Sequence, residues 1–343
     1  MQLKKNIVSK VIGKVLVMGV LLISGIPDTG KAQSSVFPSL GGSRSGTSGF
    51  QFLKINVDAR SSAMAQSNVA DAVDGSSLYF NPALAVQLDN SQVYLGHTAY
   101  FADISHNFLS YIHKKDKIAF GGSLMYLDSG EMEETNEFNP FGTGRTFRTI
   151  HMAAGLSFSQ QLSDLFSYGI TSKYVEEKIE EVQLKTVVFD IGFYYEVGLT
   201  GLRFSVGLNN FGLDSSPTGE TTRQTQDGPV TEDEFEDVSP PSVFLIGAAY
   251  DAYQNENWDV LVTGQLTNPS DNAERFSLGT EVTYLDRFLL RTGYEFGVDE
   301  AILPSAGVGF KVPVFEKDLA IDYGFTTRDR LGSIHRIALK FNL

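Results

Sequence analysis

Few residues in this chain are spaced for catalysis. The five histidines, His97, His106, His113, His151 and His335, show no His-x-x-x-His or His-Glu spacing that would gather them around a metal. They fall on or beside alternating segments and read as structural residues, so no metal or cofactor is expected. There is no Gly-x-Ser-x-Gly elbow and no phosphate loop, and Gly307-Val308-Gly309 reads as a pair of strand glycines placed for close packing. The absence of cysteine excludes thiolate metal sites and a disulfide framework. A Ser/His/acid hydrolase would need three side chains converging at hydrogen-bond distance, and nothing in the spacing specifies them. The chain reads as a non-enzyme.

The charged residues point to binding instead. Residues 212–241 carry Glu220, Asp227, Glu232, Asp233, Glu234, Glu236 and Asp237 against Arg223, and close with Pro240-Pro241. Such a stretch can be a solvated surface loop, a calcium site or a docking surface. Calcium needs several oxygens arranged around one point, and the spaced Asp-x-Asp-x-Asp-Gly pattern is missing. The candidate partner-binding residues are therefore Glu232, Asp233, Glu234, Phe235, Glu236 and Asp237. A second charged set, Asp190, Glu196, Arg203, Arg275, Glu281, Arg291, Glu295 and Asp322, sits on the polar faces of alternating segments and offers both signs.

The elements that carry these residues are strands. From Val187 to Val197 the odd positions are Val187, Phe189, Ile191, Phe193, Tyr195 and Val197, while Thr186, Asp190, Gly192 and Glu196 lie on the other face. Fourteen such segments are predicted, near 92–100, 104–112, 117–127, 146–158, 166–176, 184–197, 202–211, 242–251, 257–267, 274–284, 287–296, 304–312, 318–326 and 333–343. A soluble sandwich would bury the oily face, whereas a membrane barrel turns it outward and keeps the charges in the lumen. The even strand count, lengths suited to a tilted crossing and an alternating last strand (His335, Ile337, Leu339, Phe341, Leu343) favour the barrel. Charges facing inward must then be paired, which predicts a network across the lumen. Every second connection is short, and the two longest, 128–145 and 212–241, both fall among the others, on the side expected to face outward.

The N-terminus supports export. Lys4, Lys5, Lys10 and Lys14 precede an apolar run from Val15 to Ile26, and Gly30-Lys31-Ala32 offers a cleavage site, so residues 1–32 read as a signal peptide. Cleavage would remove five lysines and one aspartate, taking the formal net charge from −14 to −18. That acidity argues against nucleic acid as a partner. Residues 33–50 read as a flexible Ser/Gly-rich leader, 51–90 as a partly helical hatch, and 91–343 as the barrel. Within the hatch, Asp58 is placed to cap a short helix, and Asn81 before Pro82 marks another helix start.

The hatch segment also carries a family resemblance. Phe52-Leu53-Lys54-Ile55, Asp58-Ala59-Arg60-Ser61-Ser62-Ala63-Met64 and Ser77-Leu78-Tyr79-Phe80-Asn81-Pro82-Ala83-Leu84-Ala85 closely resemble the PorV/PorQ family of outer-membrane proteins from Bacteroidetes-type bacteria. Leu208-Asn209-Asn210-Phe211-Gly212, Pro240-Pro241-Ser242, Ile246-Gly247-Ala248-Ala249-Tyr250 and Arg291-Thr292-Gly293-Tyr294 extend the likeness. Many relatives carry a glycine, read as a close-packing residue, where this chain has Ala65. The resemblance implies a FadL-like all-β fold, a fourteen-stranded antiparallel barrel with an N-terminal hatch, set in outer-membrane lipid. It implies a non-enzymatic part in type IX secretion, with secretion components and cargo bearing a C-terminal domain as partners. Asp58, Ala59, Arg60, Asn81, Pro82 and Ala83 would be the structural hatch motif. By fold analogy alone, the alternative is a channel for hydrophobic solutes.

Overall fold

In a computed structural model, residues 46–198, 201–225, 228–298, 301, 303–314 and 317–343 are described. The segment read as a signal peptide, residues 33–45 of the segment read as a leader, and Asp227 lie outside the described residues. Period-two alternation becomes fourteen wall strands. The first seven are β1 (Gln92–Ala99), β2 (Ser105–Lys115), β3 (Ile118–Asp128), β4 (Thr149–Ser163), β5 (Phe166–Ile179), β6 (Val182–Glu196) and β7 (Leu202–Gly212). The rest are β8 (Val243–Gln254), β9 (Trp258–Pro269), β10 (Arg275–Tyr284), β11 (Phe288–Phe296), β12 (Ser305–Val314), β13 (Lys317–Arg328) and β14 (Gly332–Asn342). Each pairs antiparallel with its neighbours, and β1 pairs with β14, so the sheet closes on itself.

The strands follow the expected segments, with differences at their ends. β4 runs to Ser163 and β8 to Gln254, through stretches read from sequence as connections; a register shift at Gln161/Ser163 and another at Asp251/Tyr253 accompany these extensions. Bulges of this kind add a residue to one strand and break the clean alternation that sequence reading relies on. The two long loops are also more ordered than a solvated loop would be. Met132–Glu133 pairs with Thr146–Phe147, and Thr221–Thr225 pairs with Gly228–Glu232.

The wall is oily outside and polar inside. On β6, Val187, Phe189, Ile191, Phe193 and Tyr195 are all exposed, while Thr186, Val188, Asp190 and Tyr194 are buried. Those five outward residues span eight steps, roughly 26 Å along a strand at about 3.3 Å per residue, the scale of the apolar band of a membrane barrel. Aromatic side chains ring the short-turn end: Phe120 against Phe158, Phe166 against Phe193, Trp258 against Tyr284, and Phe288 against Phe310. Rings at this level are the usual anchor of a membrane barrel at the interface. No described helix is long and apolar enough to cross a membrane.

The core lies inside the barrel. Residues 50–88 fold into short helical turns, Gln51–Lys54, Ala59–Ala63, Ser77–Phe80 and Pro82–Gln87, and most of their side chains are buried. Phe50, at the end of the segment read as a flexible leader, is fully buried, because its amide donates to Glu177 Oε2 at 2.9 Å and its ring joins the hatch cluster. The segment traverses the lumen. Ser48 bridges Ser239 in the long 213–242 connection, whereas Ser91 accepts from the Leu343 amide at the opposite end.

Candidate functional site: the filled lumen and the loop face

Both capping expectations in the hatch correspond to hydrogen bonds. Asp58 Oδ2 accepts from the Ser61 amide at 2.7 Å, and Tyr94 of β1 donates to Asp58 Oδ1 at 2.8 Å. Asn81 Oδ1 accepts from the Ala83 amide at 2.9 Å, ahead of the 3-10 turn that Pro82 begins. The Asn81 amide also donates to Phe193 O at 3.2 Å and to Ser205 Oγ, so one side chain both caps a turn and ties it to β6 and β7. Ala59 and Ala83 are fully buried, and their lack of bulk lets the backbone approach the wall.

That approach is possible because the wall presents glycines. A methyl group added at Gly169 would lie 2.4 Å from Pro82 C; at Gly293, 2.4 Å from Met64 C; and at Gly324, 2.4 Å from Ala59 O. Gly96 faces Val57 O in the same way, and Gly307 faces Ala63. Several are direct cross-strand partners: Gly169 with Gly192, Gly192 with Gly207, Gly279 with Gly293, and Gly307 with Gly324. Together they form a belt with no side chains at the level where the hatch touches the sheet. Gly309 instead leaves room for the Arg291–Asp322 pair.

The inward charges form the expected network, and it begins and ends in the hatch. Asp71 pairs with Arg60, Arg60 with Glu281, Glu281 with Arg291, Arg291 with Asp322, Asp322 with Lys340, and Lys340 with Asp74. Arg203 branches from Asp71 at 2.9 Å and reaches Asp251. Glu295 is shared by Arg275 and Arg328, and Asp190 pairs with Lys173 at 2.7 Å. Glu196 lies outside this network. Sequence reading missed Asp71, Asp74, Lys173, Asp251, Arg328 and Lys340 as members; nothing in the local pattern of Asp71 and Asp74 marks them as buried, and only the barrel brings them to the wall charges.

Outside the network, Lys54 clamps Asp271 in the 270–274 connection at 2.7 Å, with the Gln51 amide donating to the same carboxylate at 2.6 Å. Burial alone would raise the Asp271 carboxyl, but the Lys54 and Gln51 hydrogen bonds more than offset it and hold the group below its ordinary value of 3.8. Between Leu53, Lys54, Tyr79, Asn209, Gln265 and Arg275 remains a cavity of about 40 Å³, enough for a few waters.

The loop face carries the acidic run. Glu232, Asp233, Glu234, Glu236 and Asp237 are exposed and Phe235 is half-buried. The run is held against the barrel: Ser215 bridges Val238, Gln183 bridges Thr218, and Asp237 accepts from Ser216 at 2.5 Å. On the neighbouring long loop, Phe141 is 96% exposed and Phe138 is exposed beside it. Among the described residues there is no cluster of groups that could hold a metal ion.

Ala65, where the family resemblance implies a glycine, has an unusual backbone conformation. Its φ is +53°, in the left-handed region, and Gln66 follows at +59°. Glycine adopts this region without the steric cost that an alanine side chain meets. Ala65 thus stands at a left-handed turn as well as at a packing contact against Gly293.

Comparison with known proteins agrees with these features. The family model described as type IX secretion system protein PorV matches residues 41–199, so the resemblance read from the hatch motif is borne out over the hatch and the first six wall strands. No curated protein matches the chain in sequence. Among solved structures, the Pseudomonas putida toluene transporter TodX aligns with a TM-score of 0.58 at 17% identity, covering 82% of this chain and 96% of its own. The CymD monoaromatic hydrocarbon channel aligns at 0.56 and 14%, covering 84% and 96%. The Ralstonia pickettii toluene transporter TbuX aligns at 0.55 and 12%, covering 82% and 96%. These likenesses establish a shared FadL-like barrel fold, and the family match together with that fold supports an outer-membrane location.

Proposed function

With PorV-family sequence across residues 41–199 as the premise, we propose that this outer-membrane barrel serves type IX secretion by holding secreted cargo or secretion components on its long-loop face. The observation that supports this reading is the filled lumen. A barrel whose interior is occupied by glycine-matched backbone and paired charges has its exposed recognition groups on the loops, chiefly 129–148 and 213–242. Exposed acids and the Phe138 and Phe141 rings supply the two components of a protein interface, charge for steering and an apolar anchor. The hatch motif Asp58, Arg60 and Asn81 then has a structural role, keeping the barrel closed to leakage. A signal peptide cleaved near Ala32 would deliver the chain across the inner membrane.

The test replaces Glu232, Asp233, Glu234, Glu236 and Asp237 by their amides in the full chain. The variant should reach the outer membrane normally, release fewer surface proteins and lose co-purifying chains. Unchanged secretion and unchanged co-purification would overturn the role of this loop. The second reading, passage of hydrophobic solutes, draws on likeness of fold alone. Gene deletion separates the two: general failure of surface-protein export supports the first, and defective uptake of one hydrophobic nutrient supports the second.

A further inference from the structure

Arg336 of β14 differs from the other buried cations of the lumen. Arg60, Arg291, Lys173 and Lys340 each have a carboxylate partner. Arg336 is 5% exposed, and its hydrogen bonds go to neutral acceptors: Asn56 O at 3.1 Å, Ser62 Oγ at 2.8 Å and Thr326 Oγ1 at 3.3 Å. It also feels the Arg328 guanidinium, a like charge, and the buried Asp58 carboxylate, which has no ion-pair contact of its own among the described residues. Arg275 and Arg328 share Glu295, so with Asp58 this part of the lumen holds three guanidiniums and two carboxylates, a net positive charge.

Unsatisfied groups lie beside it. Thr98 is the direct cross-strand partner of Arg336 on one side and of His106 on the other. Thr98 and His106 are 0% and 1% exposed, and Thr98 Oγ1 and both His106 ring nitrogens lack any partner. Asn56 Nδ2 is likewise unpartnered, on the residue whose carbonyl accepts from Arg336. Buried polar atoms are normally paired, and an unpaired one calls for a bound species. Here the free groups include a hydroxyl, an amide N–H and an imidazole N–H beside a guanidinium with no carboxylate in contact.

We propose that a small monovalent anion of chloride size is bound inside the barrel between Arg336, Thr98, His106 and Asn56. Water would satisfy the hydrogen bonds and leave the charge unbalanced. A phosphate carries more charge than the site can neutralise and needs an opening that these enclosed atoms do not offer. The ion would fasten β1 and β14, the strands that close the barrel, to the hatch.

The test uses the full chain purified in detergent. Thermal unfolding is compared in sodium chloride and in sodium gluconate at matched ionic strength, for the wild type and for Thr98→Val. Chloride should raise the wild-type midpoint by several degrees, as expected for a ligand that binds only the folded state. Thr98→Val removes a hydroxyl without changing volume. It should lower the midpoint in chloride and leave it equal or higher in gluconate, where the hydroxyl has no partner. Equal wild-type midpoints in the two salts, or a halide effect undiminished in Thr98→Val, would overturn the site. Crystals grown with bromide should show an anomalous peak in contact with Arg336; ordinary waters there would likewise overturn it.

Discussion

Arg60 of the hatch grips Glu281 of β10 at two points, Nε to Oε2 at 2.8 Å and Nη2 to Oε1 at 3.0 Å. A fork of this kind fixes direction as well as distance, so the plug is held in one orientation. Removing one partner strands the other in a buried site at a cost of about 3–5 kcal/mol. Arg60→Met should therefore lower denaturant stability by about that amount, read from the heat-modifiable gel mobility of the barrel in urea. A loss below about 0.5 kcal/mol would mean that the pair is ornamental.

The glycine belt makes a paired prediction. Gly169→Val places atoms inside the Pro82 backbone and should sharply reduce the folded fraction. Gly122→Ala, where an added methyl meets nothing within 4 Å, should change stability by no more than about 0.5 kcal/mol. Equal effects from the two substitutions would show that contact with the hatch is not what selects glycine.

Ala65 occupies a conformation that costs an L-residue about 1–2 kcal/mol. Ala65→Gly should raise unfolding stability by about 1 kcal/mol, less the added entropy of the unfolded chain. Chemical denaturation of the two proteins side by side measures it, and a destabilised glycine variant would reject the explanation.

The Lys54–Asp271 clamp gives a pH dependence. The folded-state carboxyl lies below its ordinary value of 3.8, so its contribution to stability is complete above that value and disappears as pH falls through the lower, folded one. The stability difference between wild type and Asp271→Asn should be constant near neutrality and shrink only in strong acid. A difference that vanished near neutral pH would contradict the clamp.

Much of the barrel was legible because a period of two is a local property. Leu319, Ile321 and Tyr323 alternate with Ala320 and Asp322 whether or not the rest of the chain is known. Which face meets lipid could be argued from the charges: Glu281 and Asp322 are tolerable inside only when paired, and the structure pairs them. The hatch was legible in its caps, since Asp58 and Asn81 act on residues two or three positions away. The glycine belt was not, because Gly169 and Pro82 are adjacent only after the chain has circled the lumen. Asp71 and Asp74 escaped for the same reason, and the stapled 213–242 loop because bridges such as Ser215 with Val238 leave no periodic trace.

The path of the hatch constrains how the molecule can be made. Its chain joins the long-loop mouth at Ser48 to the short-turn mouth at Ser91, while Lys340 and Asp74 bind it to the final strand. Such an insert cannot be dropped like a cork into a finished cylinder. The staves must be drawn around it, and the edge where first and last strands meet becomes the place where construction ends.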